Sequence, residues 1–269
     1  MTFPQPNPNG TCIVTGASSG IGAEIARNLA GRGYNVTLVA RREALLQELS
    51  RELSVEQGVD VDFIACDVTT AEGRNAIAEH AERDDRRPFA LINCAGFASA
   101  GDVLEVDEAA LLEIVNVNVS ALVSLTRKIA PLMIDQGYGA ILNVASTASF
   151  QPMPHEATYA ASKAFVLHFT EALGRELKGT GVTCTTLCPG PTATDFAAIA
   201  GLQEALDELP SFAVSKPRAV AETGVTAMIR GRRTRTHGSL NRIGAVLGRY
   251  SPSSIVLRVV DALWPRPAA

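Results

Sequence analysis

Short apolar runs alternate with segments of helical periodicity along most of this chain, and that alternation leaves few folds open. Thr11–Thr15, Val36–Ala40, Val61–Cys66, Phe89–Asn93, Ala140–Val144 and Val182–Leu187 are brief and β-rich. Most are apolar on both faces, as strands covered by helices on each side must be. Between them apolar residues recur at helical spacing, with Ile21, Ile25 and Leu29 in Gly20–Gly31 and Leu45, Leu46, Leu49 and Leu53 in Glu43–Glu56. A polar helix is expected around Ala71–Arg83, a long one over Asp107–Gln136 with a kink at Pro131, and another over Thr158–Leu177. Repetition of this kind joins parallel strands by right-handed crossovers. The expectation is an α/β fold, a single doubly wound parallel sheet with helices on both faces.

A length of 269 residues suits one large α/β domain. With 46% hydrophobic and 19% charged residues the chain can bury a sizeable core, which excludes a disordered chain. A net charge of −4 argues against a nucleic-acid partner. The charge is unevenly spread, because residues 216–269 carry ten Lys and Arg against two Asp and Glu. Residues 1–10 hold three prolines and no basic residue, so they read as a flexible N-terminal arm and not as a signal peptide. The catalytic domain is expected over 11–238, including a substrate loop at 190–216, and residues 239–269 form a helical extension of it. No run approaches 18 uninterrupted apolar residues, so no spanning helix is expected. Cys12, Cys66, Cys94, Cys184 and Cys188 all lie in or beside apolar runs and read as buried thiols of a reducing compartment. The expected location is the cytoplasm.

The first strand ends in a glycine cluster, Thr15-Gly16-Ala17-Ser18-Ser19-Gly20-Ile21-Gly22. Glycines at such a turn let the backbone approach a pyrophosphate, and the helix that follows offers free N–H groups and a positive dipole end. The second strand sharpens this. A dinucleotide with a free 2′-hydroxyl calls for a carboxylate at its end, whereas a 2′-phosphate calls for arginine. The sequence there is Val39-Ala40-Arg41-Arg42, so Arg41 favours the phosphorylated cofactor. Asp67 and Val68 close the third strand, where an aspartate can accept a bond from an adenine amino group. Asn93-Cys94-Ala95-Gly96 closes the fourth, with small residues where a ribose could lie.

Ser146 stands at the end of the fifth strand, with Tyr159 thirteen residues on and Lys163 one helical turn further. Residues i and i+4 share a helix face. A neighbouring cation favours the phenolate and lowers a tyrosine pKa, and a tuned tyrosine can give or take a proton near neutral pH.

Taken in order, Thr15–Gly22, Asp67-Val68, Asn93-Cys94-Ala95-Gly96, Asn118, Ser146, Tyr159 with Lys163, and Pro189-Gly190 with Thr194 make the chain resemble the short-chain dehydrogenase/reductase family. The likeness spans residues 11–196 and implies a Rossmann-type fold and an NADP(H)-dependent exchange of hydride between a ketone and a secondary alcohol. By resemblance, Tyr159 is the general acid, Lys163 holds the nicotinamide ribose and lowers the tyrosine pKa, and Ser146 steadies the carbonyl. Asn118 anchors a proton-relaying water. Gly16, Ser18, Ser19, Gly20, Ile21 and Gly22 face the phosphates, Arg41 reads the 2′-phosphate, and Pro189, Gly190, Thr192 and Thr194 touch the nicotinamide end. Asp67, Val68, Asn93, Ala95 and Gly96 complete the expected cofactor contacts. The family's usual final strand is missing from the pattern, with Thr236-His237-Gly238-Ser239-Leu240-Asn241 and a helical tail in its place. The tail resembles the branch of bacterial reductases of undefined specificity and the ketoacyl and hydroxysteroid reductases. The resemblance also implies a homodimer or homotetramer.

Phe196, Ile199, Leu202, Leu206, Leu209 and Phe212 follow Pro189 and could wall an apolar pocket, suiting a small hydrophobic carbonyl such as a 3-oxoacyl thioester or a steroid-like ketone. A short helix is expected at Ala197–Leu206. His155 is expected in an exposed loop beside the substrate. No metal site is expected, since His80, His168 and His237 have no ligand spacing. The basic tail, with Ile243, Val246, Leu247, Ile255, Val256, Val259 and Val260 among arginines, suits an interfacial helix, a subunit contact or an acyl-carrier contact. Two other readings use the same residues: a dinucleotide-sensing protein with unused catalytic groups, and a peripheral membrane or scaffold protein acting through its tail.

Overall fold

The structure, a computed structural model, describes residues 3–83 and 85–263. Seven parallel strands run in the order β3-β2-β1-β4-β5-β6-β7. They are β1 (Gly10–Thr15), β2 (Asn35–Ala40), β3 (Val61–Ala65), β4 (Arg87–Asn93), β5 (Gly139–Val144), β6 (Val182–Cys188) and β7 (Thr234–Thr236). Strand order reverses between β1 and β4, and ligands of open α/β sheets collect at such a switch point, beyond the carboxyl ends of the strands.

The period of two within the strands divides the core. Cys12 and Val14, Ala90 and Ile92, and Ala140 and Leu142 join one cluster, whereas Ile13, Leu91 and Ile141 join the other. The first face is covered by α1 (Gly20–Ala30), α2 (Glu43–Gln57) and α9 (Pro217–Ile229), through Ile25 and Leu29, Leu46 and Leu53, and Val225 and Met228. The second is covered by α3 (Ala71–Ala81) and α5 (Leu122–Gln136), through Ile77, Leu125, Ile129 and Met133. Next to them α6 (Ala157–Glu176) buries Val166 and Leu167. Each of these larger side chains contributes about 1.5–3 kcal/mol by leaving water.

The long helix is continuous over Glu108–Gln136 and passes through Pro131 as α-helix. Its irregularity lies earlier. After α4 (Glu108–Val115) the residues Asn116–Ala121 form a π-helical segment, and the α-helix resumes as α5. By length and composition the run is apolar enough to cross a membrane, but its Leu125, Ile129 and Met133 stripe lies in the core against the sheet.

Three expectations need correction. The seventh strand exists: Thr234, Arg235 and Thr236 pair with Thr186, Leu187 and Cys188. It was hidden because three residues with only Thr236 buried show no apolar run. The arm expected to be flexible is docked from Phe3 onward. Phe3 is buried 5.3 Å from the Tyr34 ring, and the Tyr34 hydroxyl donates to the Pro4 carbonyl at 2.9 Å. The loop after β6 holds two short helices, α7 (Asp195–Ile199) and α8 (Gln203–Asp207), separated near Gly201 at φ +74°. The chain ends in α10 (Ser239–Tyr250) and α11 (Ser253–Leu263).

Candidate active site

The turn from β1 to α1 is shaped by backbone geometry. Gly16 and Gly20 take positive φ, +69° and +57°, where a side chain is strained. A β-carbon on Gly22 would stand 2.2 Å from the Gly16 carbonyl oxygen, so helix and turn can meet only at glycine. Ser19 caps α1 in extended conformation with no side-chain bond to the helix. The first N–H groups of α1 are therefore available to an anion.

Two arginines follow β2 and are held differently. Arg41 is largely exposed and lies 3.9 Å from the Asp67 carboxylate. Arg42, not singled out from the sequence, donates to the Ser18 hydroxyl at 2.9 Å and to the Ser19 hydroxyl at 2.6 Å. Both guanidinium groups border the same cavity. Burial pushes the Asp67 carboxyl up, but the Thr69 N–H, the Thr69 hydroxyl and Arg41 outweigh it, and the net shift is downward. Asp67 is thus held as a charged acceptor.

Asn93 does not face the cleft. Its amide donates to Asn143 at 2.8 Å and to Thr126 at 3.3 Å, and Asn143 donates in turn to Thr170 at 2.8 Å. The side chain at this strand position points to the helix layer, so Asn93 ties β4, β5, α5 and α6 together and its side chain does not line the cavity. The following turn is held from the other side, where the Thr15 hydroxyl accepts from the Cys94 and Ala95 N–H groups. Gly96 packs beside the Lys163 ammonium, where a β-carbon would stand 3.5 Å from it in ordinary contact.

Ser146 is fixed by a reciprocal cap on the 3₁₀ turn Thr147–Phe150: its hydroxyl accepts from the Ala148 N–H, while the Ser149 hydroxyl accepts from the Ser146 N–H. The Ser146 hydroxyl accepts this bond on one lone pair and keeps its proton to donate. Its hydrogen bond to the Tyr159 phenol lowers the phenol pKa, but burial and the nearby Glu156 carboxylate raise it by more. Lys163 donates to the Val144 carbonyl at 3.0 Å and stands 5.7 Å from the centre of the Tyr159 ring. Burial, more than the lysine charge, sets the resting pKa of the phenol, and it governs the ammonium as well. It lifts the phenol and pushes the ammonium down to about 8.

Asn118 lies on the π-helical segment, buried. Its carbonyl oxygen accepts from the Phe97 N–H, and its amide donates to the Phe97 carbonyl and the Ser162 hydroxyl, each at 2.9 Å. Both amide hydrogens are committed to holding the loop after β4 against α6. The Asn118 side chain thus positions the site instead of facing into it.

These parts line one cavity of about 690 Å³. It takes in the glycine turn, Arg41, Asp67, Val68, Ala95 and Gly96 at one end and Ser146, Tyr159, Lys163, Pro189, Gly190, Thr192 and Thr194 at the other. Such a volume is typical of cofactor and ligand sites. Phe196, Ile199, Leu202 and Leu206 line it, whereas Leu209 and Phe212 do not, and Phe212 is 81% exposed. The Phe196 ring lies 5.9 Å from that of Tyr159. Gln151, Met153 and Glu156 were not foreseen; Glu156, buried three residues before Tyr159, was legible only as a helix-spaced neighbour of the phenol. His155 is largely buried, bonded through Nδ1 to Asp102 at 2.5 Å, and not the exposed loop residue expected. No cluster able to hold a metal occurs among the described residues.

A glycine-floored dinucleotide cradle leading to a serine–tyrosine–lysine group defines an oxidoreductase site of the Rossmann class. The comparisons agree with it. Residues 10–205 match the short chain dehydrogenase family model, and the chain belongs to that family, whose members act on CH–OH and C=O groups. Sulfoacetaldehyde reductase 2 of Chromohalobacter salexigens is 38% identical over 73% of this chain and 79% of its own. The ketoacyl reductase HetN of Nostoc sp. is 31% identical over 91% of this chain and 86% of its own. Among solved structures, a short-chain dehydrogenase from Sphingobium yanoikuyae in complex with NADPH superposes with a TM-score of 0.80, at 30% identity, covering 89% of this chain and 92% of that one. The sensing and scaffold readings gain no support from these relatives.

Proposed function

We propose that the chain is an NADPH-dependent carbonyl reductase acting on hydrophobic ketones, with a 3-oxoacyl thioester or steroid-like ketone as the substrate class, and the reverse dehydrogenase when alcohol is in excess. The observation that carries this reading is the placement of Ser146, Tyr159 and Lys163 in one cavity with the glycine turn and two arginines. The cradle fits a phosphorylated dinucleotide: Gly16, Gly20 and Gly22 leave room for a pyrophosphate, and Arg41 and Arg42 border the cavity beside Ser18 and Asp67. The NADPH bound by the Sphingobium relative supports the same choice.

When bound, the nicotinamide supplies the hydride that the carbonyl carbon takes up. The protein supplies the rest. Ser146 donates to the carbonyl oxygen and holds it beside the phenol, and Tyr159 transfers its proton to that oxygen as negative charge develops. Burial keeps the phenol protonated across the neutral range, so it is ready as an acid. Lys163, with its pKa near 8, carries positive charge at neutral pH and favours the phenolate left behind. Phe196, Ile199, Leu202, Leu206 and Met153 supply an apolar wall for the ketone's substituents. The ketoacyl reductase relative supports the oxoacyl choice.

The test is NADPH oxidation with hydrophobic ketones. Tyr159→Phe is expected to lower kcat by roughly 10²–10⁴-fold, the usual span of general acid catalysis, with cofactor binding retained. Undiminished turnover in that variant overturns the mechanism. The proposal includes a homodimer through α4 and α6, which pack together and expose Leu112, Val115 and Phe165.

A further inference from the structure

Helix α10 is built inside out. A surface helix ordinarily turns its apolar stripe toward the core, as α1 does with Ile25 and Leu29. In α10 the side laid on the protein carries small or polar residues: Ala245 is buried, and Asn241 and Gly248 are partly so. The apolar residues Leu240, Ile243, Val246, Leu247 and Tyr250 lie on one arc of the helix facing water, each 53–77% exposed. Helix α11 follows after Pro252. It buries Val256 and Val260 and leaves Ile255 and Val259 outside. A contiguous apolar face of this kind marks a surface that meets something.

Charge decides what it meets. Helix α10 contains no acidic residue, and Arg242 and Arg249, the latter 3.6 Å from the Glu171 carboxylate, border the apolar arc along one edge. Exposed Arg235 precedes it on β7, and exposed Arg258 follows it on α11. A second copy docked by two-fold symmetry would bring the same arginine-edged patch against itself, like charge against like. An anionic lipid surface would instead take the apolar arc into its acyl boundary and neutralise the arginines.

The helix also lies on the wall of the active-site cavity. A β-carbon on Gly190 would stand 2.3 Å from the Asn241 amide nitrogen, and one on Gly248 would stand 2.7 Å from the Gln151 amide oxygen. Gly190 and Gln151 both line the cavity. We infer that α10, aided by α11, docks this protein on anionic phospholipid bilayers and sets the active-site wall about one helix diameter, ~10 Å, from the lipid surface. A hydrophobic ketone dissolved in the bilayer would then meet the enzyme without crossing bulk water. The docking stands apart from the reduction chemistry, so failure of one leaves the other in place.

The experiment is co-sedimentation of the full chain with phosphatidylcholine vesicles that contain or lack phosphatidylglycerol. Binding is expected to the anionic vesicles and to fall as salt rises. The double variant Ile243→Ser, Leu247→Ser is expected to bind about tenfold or more weakly. Arg242→Glu is expected to weaken only the anionic-vesicle binding. Both variants should reduce a water-soluble ketone at the wild-type rate, which shows that they are folded. Wild-type protein left in the supernatant with anionic vesicles overturns the inference, as does equal binding by the double variant. A change from dimer to monomer in the double variant, with vesicle binding untouched, also overturns it and assigns the face to self-association.

Discussion

Glu156, the N-cap residue of α6, and Lys163 within the helix flank Tyr159 at three residues before and four after. Burial raises the phenol pKa first and the Glu156 charge raises it further. Glu156→Gln removes the second cause, so the phenol gives up its proton at lower pH. The alkaline limb of kcat/KM for ketone reduction is expected to move to lower pH, as read from a pH–rate profile. Lys163 bears a stability cost. Its ammonium is pushed down from 10.5 to about 8 by burial, a shift of order 3 kcal/mol against the charged form in the folded state. Between pH 8 and 10.5 the unfolded chain holds this proton and the folded chain has released it, so this component of stability rises with pH through that window. Buried thiols such as Cys94, pushed up to about 12, act oppositely at alkaline pH. The difference between wild type and Lys163→Met therefore isolates the lysine. The variant is expected to be more stable by roughly 1–3 kcal/mol near neutral pH, allowing for the lost bond to Val144, with turnover largely gone. Thermal denaturation at neutral pH and at about pH 10 measures the stability, and the gap should narrow at the higher value.

At the scale of elements, the loop from β2 to α2 departs most from what its sequence implied. Arg41 is the residue that position in the strand pointed to, yet Arg42 reaches back to Ser18 and Ser19 of the glycine turn. Arg42→Ala should weaken NADPH binding by about 1.5–3 kcal/mol, the worth of a charge-assisted bond, and leave NADH binding much less changed. Titration calorimetry with the two cofactors measures both. Strand positions repeat every two residues and can be counted, whereas the reach of a long side chain in a loop depends on backbone turns that no periodicity encodes. The same reason accounts for Asn93. It closes a strand beside the cofactor motif, but the pleat turns its amide toward Asn143 and Thr126. The π-helical segment at Asn116–Ala121 was hidden as well, since its apolar spacing merges into that of α4 and α5.

For the whole molecule, two exposed apolar helix faces stand out among the described residues: the outer face of α4 with α6, and the outer face of α10 with α11. Charge separates them. The α4–α6 region lies in the acidic body of the chain and carries the stacked pair Phe165 and Phe169, 5.7 Å apart. Phe165→Glu is expected to convert a dimer to monomer in sedimentation-velocity runs, because it buries a charge in an apolar contact. The α10–α11 region lies in the basic tail, the face we assign to a lipid surface.

The sequence by itself determined the sheet, the order of its first six strands along the chain, the glycine turn and the Ser146, Tyr159 and Lys163 group. These rest on local periodicity and on residue types that few other backbone geometries require. The tertiary structure decided which face of each element meets what: that Asn118 and Asn93 hold the scaffold, that Arg42 joins Arg41, that three residues complete a seventh strand, and that α10 turns its apolar side outward. Amphipathic spacing fixes that a helix has two unlike faces, but only packing decides which of them is left to the water.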